Sequence, residues 1–137
     1  MLKFSFVLIN HRNEFLHDSF SYYKSCIYEY EGILTILADN KELFNGEIFI
    51  LEFIRDCVVW LNSRNAIADM MYSCVDVDDT LNPLIRFIHD NETWHFQSPW
   101  QLFDCKTCFC REELEQAIRK LISDVEEQLG VSLPLSV

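Results

Sequence analysis

The sequence predicts an α+β fold: one antiparallel sheet of five to six strands with two helices packed against it, in the order βββ-α-βββ-α. Three observations lead there. Half of the 137 residues are hydrophobic and eleven are Phe, enough for a core, since a chain of this length buries about two-thirds of its unfolded surface. Short apolar runs recur between turn-forming residues. Two longer segments show the three-and-four spacing of a helix. No repeat and no Pro/Gly/Ser linker divides the chain, so residues 1–137 read as a single domain.

Taken in chain order, Lys3 to Asn10 is the first expected strand. Its apolar run is short, follows one Lys and meets no small-residue cleavage site before His11-Arg12-Asn13-Glu14, so a strand is favoured over a secretion signal. Ser19 to Tyr30 alternates in part, through Phe20, Tyr22, Cys26, Tyr28 and Tyr30, and reads as the second strand. Gly32 marks a turn, and Ile33 to Ala38 reads as the third strand, stopping at the turn-prone pair Asp39-Asn40. Asn45 is expected to cap a helix, because its side chain accepts from a free backbone N–H, and Glu47 suits the first turn. The helix then runs from Ile48 to Leu61, with Glu52, Arg55 and Asp56 on one narrow polar stripe. Apolar on its remaining surface, it should be largely buried. Its three charges keep it from spanning a bilayer.

Met70 to Val75 reads as the next strand. Leu84 to His89 and Trp94 to Ser98 form a hairpin around Asp90-Asn91-Glu92, where Asn tolerates the positive φ of a tight turn. Trp100 to Cys105 either continues the sheet or leaves it. The final helix is the clearest element. Leu114, Ala117, Ile118, Leu121, Ile122, Val125 and Leu129 form one apolar stripe, Glu112, Glu113 and Glu115 open it, and Gly130 closes it with a left-handed cap.

Charge narrows the function. Acids outnumber bases 22 to 11, a net charge of −11. That opposes nucleic acid and anionic membranes as ligands, because Lys and Arg bind both. It favours a basic protein partner. Between Asp69 and Glu92 there are six acids and one base, Arg86. Asp76, Asp78, Asp79, Asp90 and Glu92 are the candidate contact residues, expected to gather at one side or end of the sheet if these strands pair. The run Asp76-Val77-Asp78-Asp79 lacks the glycine and distal Glu of a calcium loop, so a solvated turn is the expectation.

The cysteines are Cys26, Cys57, Cys74, Cys105, Cys108 and Cys110. With no secretion signal recognised, they read as reduced thiols in a cytosol. Cys105, Cys108 and Cys110 offer three thiolates, but a closed zinc site takes four ligands and no second pair follows. His89, His95 or Cys74 would have to complete it. No metal and no cofactor is therefore expected, and a metal-binding or regulatory role for Cys105, Cys108 and Cys110 is the alternative. Of the histidines His11, His17, His89 and His95, His95 alternates opposite Trp94 and Phe96, as on the outer face of a strand. No nucleophile elbow, zinc-protease motif or nucleotide fingerprint is present, and Gly32, Gly46 and Gly130 are too far apart for a phosphate loop. The chain reads as a binding protein rather than an enzyme; a small enzyme without a familiar motif is the remaining alternative. Trp94, Trp100 and Phe103 offer an interface anchor, with core packing as the competing role for at least two of them.

The stretches Asp78-Asp79-Thr80-Leu81-Asn82-Pro83-Leu84-Ile85-Arg86-Phe87, Trp94-His95-Phe96-Gln97-Ser98-Pro99-Trp100-Gln101-Leu102-Phe103 and Glu112-Glu113-Leu114 together resemble small bacterial domains. They are similar to the broad type of immunity proteins that neutralise contact-dependent growth-inhibition or polymorphic toxins. The resemblance spans about half the chain. It implies a small acidic protein without activity of its own; with the acidic charge, which can occupy a positive phosphate-binding site, the expected partner is a basic toxin domain of nuclease type. It carries no set of functional residues, since such proteins share no binding motif.

Overall fold

The structure, a computed structural model, describes residues 1–10, 27–102 and 104–135. It is α+β. Strands β1 (Leu2–Asn10), β2 (Glu31–Ala38) and β3 (Lys41–Phe49) precede helix α1 (Ile50–Leu61). Strands β4 (Met70–Tyr72), β5 (Ile85–Asp90), β6 (Thr93–Gln97) and β7 (Cys108–Phe109) follow, and helix α2 (Arg111–Leu129) closes the fold. A short 3-10 turn, Asp79–Leu81, lies between β4 and β5.

The expected single sheet of five to six strands is instead two antiparallel sheets, ordered β1-β2-β3 and β4-β5-β6-β7. Two segments account for the difference. The strand ends at the turn Asp39-Asn40 as expected, but a further strand follows it directly. Both residues take positive φ, 50° and 68°, and the chain folds straight back as β3, pairing Ala38 with Lys41 and Thr35 with Asn45. Asn45 and Glu47 are thus strand residues, not a helix cap and first turn. The helix starts at Ile50, where Phe49 provides no side-chain cap and the Ile50 N–H donates to the Tyr30 carbonyl at 3.0 Å. Of the two alternatives for Trp100 to Cys105, its described residues lie outside the sheet; the added strand is Cys108–Phe109 beside β6.

The strand expected over Ser19 to Tyr30 falls on residues 19–26, outside the described residues, and on Ile27 to Tyr30, which form a turn. Met70 to Val75 is strand only as far as Tyr72. The hairpin is as expected, with Asn91 and Glu92 both at positive φ.

One core joins the sheets. Phe4 of β1 meets Phe53 of α1 at 5.7 Å and Phe87 of β5 at 5.9 Å between ring centroids. Phe87 in turn touches Phe96 and Phe109. Helix α1 packs against β2, β3 and β4, and α2 against β1 and α1. All seven residues of the predicted α2 stripe are buried, and Gly130 caps the helix at φ 71°. At Gly32 a Cβ would stand 2.9 Å from the Val7 carbonyl oxygen and 2.8 Å from Ile50, so glycine lets β2 pass between β1 and the start of α1. Among the described residues no helix is long and apolar enough to cross a membrane.

Candidate partner-binding site

The antiparallel register determines where the acidic residues lie. Tyr72 pairs with Ile85 and Met70 with Phe87, so the loop after β4 sits at the start of β5. That loop carries Asp76, Asp78 and Asp79, all exposed. Asp90 and Glu92 occupy the hairpin tip at the other end of β5, beside Asp69, whose carboxylate accepts the His89 N–H at 2.7 Å. The strand Ile85–Asp90 separates the two groups, about 17 Å at the usual rise of about 3.3 Å per residue. The strands do pair, but the five candidates divide into a loop group and a tip group.

The loop group is held in a defined shape. Asp78 Oδ1 accepts from the Thr80 N–H at 3.0 Å and the Thr80 hydroxyl at 3.1 Å. Those bonds hold the Asp78 carboxyl below its ordinary range. Asn82 anchors the loop from the other side: its Oδ1 accepts from the Cys74 N–H and its Nδ2 donates to the Cys74 carbonyl, both at 2.9 Å. Beneath the loop lies Glu52, only 2 % exposed. It accepts from the Tyr72 hydroxyl at 2.6 Å and from the Val75 N–H at 3.3 Å. Burial pushes its carboxyl up, against those hydrogen bonds and the nearby Arg55. Burial likewise raises the Cys74 thiol, which disfavours the reactive thiolate.

Asp76 is joined by two further carboxylates. It lines a notch of about 240 Å³ together with Glu31 of β2 and Glu47 of β3. Ile48, Phe49, Val77 and Trp100 provide apolar walls, and among the described residues no Lys, Arg or His lines it. Trp100 is seated over Phe44, the two rings stacked at 6.2 Å, and the absent side chain at Gly46 leaves room for both. The sequence pattern places Glu47 in a helix start, whereas it lies in β3, and Glu31, at the start of β2, carries no local signal of its position. Alternation about the buried Phe44 and Ile48 would have placed Glu47 on the outer face.

The remaining candidates take ordinary places. His89 stacks edge-on against Trp94 at 4.7 Å. His95 is half-buried on the outer face of β6, between buried Trp94 and Phe96. The indoles of Trp60 and Trp94 both donate to the Ala68 carbonyl, at 2.8 and 3.0 Å, so Trp94 is a core residue. Phe103, His11, His17 and Cys26 lie outside the described residues. The thiols of the cysteine run have different surroundings. Cys105 is buried, Cys108 is exposed, and Cys110 is the N-cap of α2, its N–H bonded to Glu113 at 3.3 Å. Among the described residues no three His, Cys, Asp or Glu side chains are grouped to hold a metal ion.

The chain matches a domain of unknown function, DUF7878, over residues 4–131. No curated protein and no solved structure matches it.

Proposed function

We propose that this chain, which belongs to the DUF7878 family, is a binding module for a basic protein and inhibits that partner by occupying its positive site. The supporting observation is the notch: three carboxylates, Glu31, Glu47 and Asp76, over apolar walls, with no base beside them among the described residues. Such a notch suits one Lys or Arg, whose methylene stem packs on apolar surface while its charge meets carboxylate. The partner class is a toxin domain of nuclease type, whose active site is positive because it binds phosphate. An acidic protein approaches such a site by electrostatic steering. The chain then acts as an immunity protein in the cytoplasm, where its thiols stay reduced.

The test measures association of the full chain with the basic toxin domain encoded beside it, using a histone as an unrelated basic control. Tight binding to the toxin domain and weak binding to histone is the expected result. Glu47→Gln with Asp76→Asn should speed dissociation, because these residues face a seated side chain. Asp78→Asn with Asp79→Asn should mainly slow association and flatten its salt dependence, because exposed charges act on encounter. Equal binding to histone, or unchanged kinetics in both double variants, would overturn the reading. So would the absence of a neighbouring toxin gene.

A further inference from the structure

A second cleft, of about 420 Å³, opens on the outer face of β5 and β6, and its chemistry is opposite to that of the notch. It falls within the range of about 300–1,000 Å³ usual for small-molecule sites. Arg86 projects into it from β5, and His95 and Gln97 from β6. The register pairs Arg86 with Gln97 and Ile88 with His95, so Arg86 and His95 are diagonal neighbours on one face, within reach of a common ligand. Asn82 and Ser98 line the cleft, and Pro83 and Pro99 stiffen its rim.

Arg86 is the decisive group. The chain has twice as many acids as bases, yet among the described residues the Arg86 side chain makes no ion pair and no hydrogen bond. Asp104 lines the same cleft without coming within ion-pair distance. Arg86 is also half-buried, so its guanidinium has lost part of its hydration without gaining a carboxylate in return. A planar fork of donors in a polar cleft of this size suits a planar oxyanion. The net charge of −11 selects which one. A doubly charged phosphate meets more repulsion from the whole molecule than a singly charged carboxylate does. We propose that this cleft binds a carboxylate-bearing ligand, with Arg86 as its anchor and His95 and Gln97 beside it.

The experiment is an amide chemical-shift titration of the full chain at constant ionic strength. The probes are benzoate, acetyl-dialanine as its free acid, the same dipeptide as its amide, and inorganic phosphate. Saturable shifts around Asn82, Arg86, His95 and Gln97 with either acid, and none with the amide, are expected. Saturation by benzoate assigns the carboxylate to a free small molecule; saturation by the dipeptide acid without benzoate assigns it to a chain terminus. Arg86→Lys should weaken binding about tenfold by removing the fork while keeping the charge, and Arg86→Gln should abolish it. If Arg86→Gln does not fold, Gln97→Glu serves, because it sets a carboxylate opposite Arg86 and occupies the guanidinium from within. No saturable shift with either acid, phosphate binding as tightly as the acids, or binding that survives Arg86→Gln or Gln97→Glu would overturn the proposal.

Discussion

Glu52 shows how a single side chain links the core to the proposed site. It is buried on α1, and its two oxygens hold the Tyr72 hydroxyl and the Val75 N–H. The second bond fixes the backbone immediately before Asp76. Because burial raises its carboxyl in the folded state, folding favours the protonated form. That contribution is fully present below the ordinary carboxylate range and is lost as pH rises through the folded value. Asp56, raised chiefly by burial, acts with the same sign. Thermal melts from about pH 4 to about pH 8 should therefore show stability falling as pH rises, and Glu52→Gln should flatten part of that fall. Glu52→Ala should cost about 1–3 kcal/mol at neutral pH by leaving buried donors without an acceptor. The polar stripe of Glu52, Arg55 and Asp56 is legible in the sequence. That Tyr72 and Val75 close over its first member is not, because they lie twenty and more residues away.

Among the elements, α2 and β3 mark the two extremes of legibility. The α2 stripe is read correctly because seven apolar residues at helical spacing allow one face and one partner surface. Leu121 is fully buried on it, so Leu121→Ala should lower the unfolding free energy in urea by about 2–5 kcal/mol. Strand β3 is not legible because its interior contains Asn45 and Gly46, a pair that ordinarily signals a turn or a cap. Its pairing with β2 outweighs that local preference, as tertiary context does for weak strand propensity. The same pairing puts β2 against α1 at Gly32. Gly32→Ala should cost about 1–3 kcal/mol in the same measurement, because the Val7 carbonyl is backbone and cannot yield as a flexible side chain would.

For the molecule as a whole, an excess of eleven negative charges has two consequences. Self-repulsion opposes the compact state, and salt screens it. Raising sodium chloride from about 10 mM to about 150 mM should stabilise the free chain by about 1 kcal/mol, roughly 4 °C in melting temperature for a domain of this size. The second consequence is directional. The acidic loop group and notch lie at one end of β5, and the Asp69, Asp90 and Glu92 group at the other. If the proposed partner engages the notch, Asp90→Asn with Glu92→Gln should alter its association rate less than Asp78→Asn with Asp79→Asn does, as stopped-flow kinetics at low salt would measure.

The sequence by itself determined the α+β class, the burial of both helices, the β5–β6 hairpin and the acidic character of the surface. Each rests on local signals: helical period, strand alternation, turn residues and net charge. Only the tertiary structure decided that there are two sheets, that Asp76 joins Glu31 and Glu47 in one notch, and that Asp90 and Glu92 lie away from it. It also decided that Arg86 faces a cleft with no carboxylate paired to it among the described residues. These are matters of pairing and register between distant segments. A strand's alternation defines its two faces, but not which neighbour it pairs with or which loops meet at its ends.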